Sequence, residues 1–131
     1  MLQTNRPRIL LVEDNYATQM LLKIVLGSVG YDLDMASNGS EGLSFLRSHP
    51  GISLVILDLR MPTVSGVTFL EARSQSDELM RIPVMILSGD STIEEVAASY
   101  GIEHYLMKGT KPSALISLVR QLAPSPEAFH C

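Results

Sequence analysis

The sequence predicts an open α/β domain, a parallel five-stranded sheet covered by five helices, on three observations. Short apolar runs and stretches of helical period alternate five times along the chain. The first, third and fourth runs are apolar at nearly every position, as strands buried on both faces are. The length of 131 residues and a hydrophobic content of 46% suit one domain with a substantial core.

The elements follow in order. RILLV (8–12) is too short for a helix and wholly apolar but for its first residue, so it reads as strand one. Ala17, Met20, Leu21, Ile24 and Val25 recur at three- and four-residue steps after the capping residue Asn15 and before Gly27 and Gly30, predicting helix one with these five inward. YDLDMA (31–36) alternates apolar and polar positions, the period of a strand with one poorer face, and is predicted at an edge. SNGSEGLSFLRSH carries helix two on Leu43 and Leu46 and is stopped by Pro50 and Gly51.

SLVILD (53–58) is strand three, a buried run ending on an acid. After the loop LRMPTVSG, VTFLEARSQ is helix three and IPVMILS (82–88) strand four. Helix four spans about Thr92 to Tyr100 with Ile93, Val96, Ala97 and Tyr100 inward, closed by Gly101 in the C-cap role. Strand five is short, within EHYLM (103–107). Helix five begins after Pro112, with Leu115, Leu118, Val119 and Leu122 on its apolar face. Pro124 and Pro126 end it, so residues 6–123 are expected to form the domain and 124–131 a tail or the start of a linker without core residues.

Composition narrows the function. Ten basic against fourteen acidic residues give a net charge of −4 with no basic run, which argues against a direct nucleic-acid surface. The single cysteine, Cys131, offers no internal disulfide framework. No apolar stretch is long enough to span a membrane, and the N-terminal residues lack a signal-like apolar core, so a soluble, cytoplasmic domain is expected.

In open α/β sheets the ligand crevice lies beyond the carboxyl ends of the strands. There the sequence places Glu13 and Asp14 after strand one, Asp58 after strand three, Ser88 after strand four and Lys108 after strand five. Any one acid after a strand could be a helix cap or a solvated turn residue. Three carboxylates within about 5 Å would repel by roughly 1 to 3 kcal/mol per pair, a cost that a bound cation offsets. Hard oxygen donors without histidine or cysteine favour Mg²⁺, which commonly binds substrate phosphate oxygens as well. A phosphate-bearing substrate is therefore expected.

ILLVEDN (9–15), LVILDLRMPTVSG (54–66), MILSGDS (85–91) and YLMK (105–108) resemble the four signature segments of two-component response regulator receiver domains, of the chemotaxis-receiver kind. Asp14, Asp58, Ser88 and Lys108 stand at the matching intervals of 44, 30 and 20 residues, and the resemblance covers essentially the whole chain. It implies a flavodoxin-like doubly wound sheet of strand order 2-1-3-4-5. It implies that Asp58 accepts a phosphoryl group from a kinase histidine or phosphotransfer protein, and that Asp14, Asp58 and the backbone carbonyl of Arg60 hold Mg²⁺, Glu13 acting largely through water. Ser88 and Lys108 would bond the phosphoryl oxygens, and Tyr105 would be the switch aromatic that alters the surface of helix four, strand five and helix five for a downstream protein or output domain. The module would be no enzyme in the usual sense, although it assists its own phosphorylation and dephosphorylation.

Arg60 and Asp90, two residues beyond Asp58 and Ser88, are expected to flank the site and to pair across its mouth. The charge pattern that supports dimerisation through helices four and five is thin, with Glu94 and Glu95 unmatched by a basic residue on helix four and only Glu103 and Arg120 available nearby. His49, His104 and His130 share no ligand-like spacing. Gly109 departs from the proline usual after the lysine. A cis bond before glycine costs about 2.5 to 4 kcal/mol, so a trans Lys108-Gly109 link, or a strained one, is expected, with Gly109 steering the loop at positive φ and Lys111 at the start of helix five. Two alternatives stay open: a non-phosphorylated pseudo-receiver, and an aspartate-nucleophile phosphohydrolase, which the basic residue at position 60 and the lack of a cap insertion disfavour.

Overall fold

A computed structural model describes residues 6–59, 66–89 and 91–125. The strands are β1 (Arg8–Val12), β2 (Asp32–Ala36), β3 (Ile52–Leu57), β4 (Val84–Ser88) and β5 (Tyr105–Met107). The helices are α1 (Tyr16–Gly27), α2 (Gly39–Ser48), α3 (Gly66–Ser74), α4 (Asp77–Met80), α5 (Ile93–Ser99) and α6 (Pro112–Leu122). All four strand pairings are parallel and the order is β2-β1-β3-β4-β5, as expected, with β2 at one edge.

Successive side chains along each strand point to opposite faces, so the buried strands divide the core in two. Leu10, Val12, Val55, Leu57, Val84 and Ile86 face α2, α3 and α5, meeting Leu43, Leu46, Phe69, Leu70, Ile93 and Ala97. Ile9, Leu11, Leu54, Ile56, Met85 and Leu87 face α1 and α6, meeting Leu22, Leu26, Leu115 and Val119. This double burial is the reason that β1, β3 and β4 read as continuous apolar runs.

Three expectations are corrected. The inward face of α1 is Leu22 and Leu26, whereas Leu21 and Ile24 are 57% and 71% exposed. The helix carries apolar residues round most of its circumference, with Lys23 its only charged residue, so a periodic pattern could be drawn in more than one phase. Leu21 instead lines an apolar pocket of about 140 Å³ with Leu106, Pro112 and the aliphatic part of Lys108. A sixth, single-turn helix, α4, begins after Ser76, whose hydroxyl accepts from the Leu79 N–H at 3.2 Å, with Asp77 and Glu78 in its first turn. Finally, Ser125, placed beyond the core, is fully buried and donates to the Gly30 carbonyl at 3.1 Å. Beside it the buried Tyr31 hydroxyl donates to the Ala123 carbonyl at 2.6 Å, so the chain leaving α6 is pinned to the turn before β2.

Candidate functional site

Parallel pairing aligns the carboxyl ends of the strands and so collects the residues that follow them. Val12 lies opposite Leu57 in the register. Glu13 and Asp58, one residue on, therefore emerge side by side, each tied back by its own N–H: Glu13 to the Ala36 carbonyl at 2.9 Å and Asp58 to the Val12 carbonyl at 3.0 Å. Ser88 pairs with Met107, and the Lys108 N–H donates to the Ser88 carbonyl at 3.0 Å. Two edges of the crevice are thus set by backbone hydrogen bonds before any side chain is considered.

The side chains converge. One carboxylate oxygen from each of Glu13, Asp14 and Asp58 lies within 4.8 Å of the others, the one such cluster among the described residues. Asp58 and Glu13 are buried and Asp14 is exposed, so the cluster reaches solvent through Asp14. The Lys108 Nζ reaches Glu13 Oε1 at 2.6 Å and Asp58 Oδ2 at 3.2 Å. Ser88 is fully buried at the end of β4.

Burial and charge act against one another here. The Glu13 carboxyl sits above the usual carboxylate range: burial pushes it up, the nearby Asp58 adds to this, and the bonds from Lys108 and the Asn15 N–H pull it part of the way back. Burial works against the Lys108 ammonium, but the Glu13 and Asp58 carboxylates together outweigh it, and its pKa is raised.

The donor set suits a hard divalent cation, being oxygen only and partly open. Both Glu13 oxygens are already engaged, Oε1 by Lys108 and Oε2 by the Asn15 N–H at 3.1 Å, whereas the Asp14 carboxylate is exposed to solvent.

Tyr105, opposite Ile86 in the register, is half-buried, packed partly against the α5 side of the core. Desolvation raises its phenol pKa, with the neighbouring Glu94 carboxylate of α5 adding to the effect. Gly109 has φ +91°, the described peptide bonds are all trans, and the Thr110 N–H closes the turn onto the Met107 carbonyl at 3.2 Å. Lys111 is the N-cap of α6, away from the carboxylates that Lys108 meets. His49 stacks on Phe45 with centroids 4.0 Å apart and bonds the Phe45 carbonyl through Nδ1, a local role at the end of α2. Arg60 and Asp90, and with them the carbonyl ligand and the pairing expected across the site mouth, lie outside the described residues.

Two further contributors act through the backbone of the site. Gln19, on the first turns of α1, donates from Nε2 to the Glu13 carbonyl at 2.6 Å. Gly66, at the start of α3, is packed so closely that a Cβ there would collide with the Asp58 carbonyl oxygen and lie 2.8 Å from the Leu59 Cα. In the sequence Gly66 closes the LVILDLRMPTVSG segment, whereas Gln19 lies in none of the four signature segments.

Comparison with known proteins gives a consistent result. Residues 9–120 match the family model described as the response regulator receiver domain. A two-component response regulator of rice, ORR11, is 28% identical over 120 residues, covering 90% of this chain and 82% of its own. A segment of the sensor histidine kinase TmoS of Ectopseudomonas mendocina is 33% identical over 108 residues, which is 81% of this chain and 11% of that protein. Among solved structures, the response regulator TrrA of Thermotoga maritima, in complex with Mg²⁺ and beryllofluoride, superposes with a TM-score of 0.78 at 32% identity, covering 88% of this chain and 98% of its own. The chemotaxis protein CheY4 of Vibrio cholerae, at 22% identity and a TM-score of 0.79 over 89% of this chain and 98% of its own, shares the fold.

Proposed function

The chain belongs to the response regulator receiver domain family, whose members are signalling domains, and from that premise we propose that Asp58 is its phosphoacceptor. The observation that carries the proposal is the setting of Asp58: a buried carboxylate at the mouth of a parallel sheet, 3.2 Å from the Lys108 ammonium and clustered with Glu13 and Asp14. A phosphorylated histidine of a kinase or phosphotransfer protein is the donor. A carboxylate oxygen of Asp58 attacks phosphorus in line, the P–N bond breaks, and the imidazole leaves with that electron pair as an acyl phosphate forms on Asp58.

The protein's part is positioning and charge. Asp14 and Asp58 would hold Mg²⁺, in keeping with the Mg²⁺-bound relative, and the ion when bound neutralises charge on the phosphoryl oxygens. Lys108 gives up its bond to Asp58 and donates to a phosphoryl oxygen, kept charged by its raised pKa and held over the site by Glu13. Ser88 supplies a second donor from β4. Its movement toward the phosphoryl group frees space for Tyr105 to turn inward, and the surface of α5, β5 and α6 changes for a downstream protein or output domain. No described helix is long and apolar enough to cross a membrane, and we place the domain in the cytoplasm, where a kinase can reach it.

Incubation with Mg²⁺ and acetyl phosphate tests this. The intact mass should rise by one phosphoryl group, and the Asp58→Asn variant should show no gain. Rapid multiple turnover without an adduct would instead favour a phosphohydrolase, and no adduct at all a module that acts by contact alone.

A further inference from the structure

We propose that Gln19 is a positioning residue for the metal site, its carboxamide fixing the Glu13 carbonyl so that Asp14 is presented to a divalent cation. The inference rests on the reading of Asp14 and Asp58 as the carboxylates that hold the ion. Every other handle on Glu13 is already held: its N–H by the Ala36 carbonyl at 2.9 Å, one carboxylate oxygen by Lys108 at 2.6 Å, the other by the Asn15 N–H at 3.1 Å. What remains is the peptide plane joining Glu13 to Asp14, and its carbonyl accepts from Gln19 Nε2 at 2.6 Å. The carbonyl can only accept, so the amide nitrogen of Gln19 must face it.

Asp14 depends on that plane. Its side chain is exposed, and among the described residues no hydrogen bond holds it. Its direction is therefore inherited from the backbone on which it stands. Gln19 is itself anchored, since its N–H donates to the Asn15 carbonyl at 3.0 Å in a helix that Asn15 caps through the Thr18 N–H at 2.9 Å. The rigid first turns of α1 thus hold a strand-end peptide, and through it a carboxylate that lacks other support.

The chemistry of the ions separates positioning from charge or stability. Mg²⁺ demands near-ideal octahedral geometry at short distances, whereas Ca²⁺ accepts irregular shells. Loosening the Glu13–Asp14 peptide should therefore penalise Mg²⁺ more than Ca²⁺. A change in net charge would penalise both alike, and Gln19→Met changes no charge.

Titration calorimetry with MgCl₂ and CaCl₂ gives the test. In Gln19→Met the Mg²⁺ dissociation constant should rise about tenfold, the low end for loss of an outer partner of a ligand, and the Ca²⁺ constant by about threefold or less. Gln19→Asn keeps the amide but falls one methylene short, and should resemble Gln19→Met. The melting temperature in EDTA should fall slightly and alike in both variants, as the loss of one part-buried hydrogen bond requires. Unchanged Mg²⁺ affinity in Gln19→Met, an equal loss for the two ions, or wild-type behaviour of Gln19→Asn would overturn the positioning role. Asp14→Asn distinguishes the underlying reading: if wild type binds no Mg²⁺, or Asp14→Asn binds it undiminished, the metal site itself is misassigned and the role of Gln19 falls with it.

Discussion

Replacing Lys108 with methionine removes the cation on which the acidic cluster leans. The ammonium is 2.6 Å from Glu13 and 3.2 Å from Asp58, and the Glu13 side chain is only 1% exposed. Breaking a fully buried ion pair from one side costs about 3 to 5 kcal/mol, because the remaining charge is stranded. The Lys108 side chain is 31% exposed, so water and salt reach the site and the cost should fall to about 2 to 3 kcal/mol.

Proton uptake sets a further limit. The Glu13 carboxyl is raised in the folded protein, by burial first, so the fold favours its protonated form. Without Lys108 the Glu13 carboxyl also loses the bond that pulled it part of the way back, so the penalty is largest where Glu13 is ionised and shrinks as the pH falls and the carboxyl takes up a proton. In wild type the Lys108 contribution has the complementary sign: its raised pKa means the stabilisation is present below the ordinary lysine value and is lost only as the pH rises through the folded one. Urea unfolding followed by far-ultraviolet circular dichroism suits a chain without tryptophan. The destabilisation should be about 2 to 3 kcal/mol near pH 8 and should shrink as the pH is lowered through the titration of Glu13. A loss below about 1 kcal/mol near pH 8, the range of a solvated surface pair, or a loss that stays constant on acidification until the protein unfolds, would refute the argument.

Other outcomes follow from the same structure. Tyr31→Phe should cost about 1 to 2 kcal/mol by leaving the buried Ala123 carbonyl without its donor. Burial raises the Tyr31 phenol, so its stabilising bond is intact below the ordinary tyrosine pKa and is lost as the pH rises through the higher folded value; the alkaline fall in wild-type stability should be shallower in Tyr31→Phe. Gly109→Ala forces a side chain to φ +91° and should destabilise by about 1 to 2 kcal/mol in urea unfolding. Leu22→Ala should cost about 2 to 5 kcal/mol and Leu21→Ala about 0.5 kcal/mol or less, an asymmetry that checks the phase of α1 in the same assay.

The parts of the fold that could be read in the sequence are those where one physical demand acts alone. β1, β3 and β4 are buried on both faces, so their composition leaves no choice of element, and the residues after them reach the crevice by parallel topology. Lys108 was separable from Lys111 because one ends a strand and the other caps a helix. Gly109 took the positive φ expected of it because a glycine in place of proline has that freedom.

Where two demands overlap, the sequence is ambiguous. In α1 the core-facing leucines are embedded in a helix that also exposes Tyr16, Leu21 and Ile24, so periodicity could not choose a face. The α4 turn depends on the Ser76 cap with two acids behind it, a signal easily lost after a longer helix. Ser125 is held by hydroxyl and carbonyl contacts across the chain, which no local pattern encodes. Gln19 meets the site through the backbone of Glu13, a contact with no residue-type signature, and Gly66 closes a signature segment without showing its close approach to the Asp58 carbonyl.

The central claim, phosphorylation of Asp58, can be read at a single atom. Phosphoramidate offers the same P–N bond as a phosphohistidine, and borohydride reduction converts an aspartyl phosphate to homoserine. After treatment with phosphoramidate and Mg²⁺, reduction and peptide sequencing by mass spectrometry, homoserine should appear at position 58 and nowhere else. Homoserine at Asp14, or phosphate retained on a histidine or lysine with Asp58 unmodified, would contradict it.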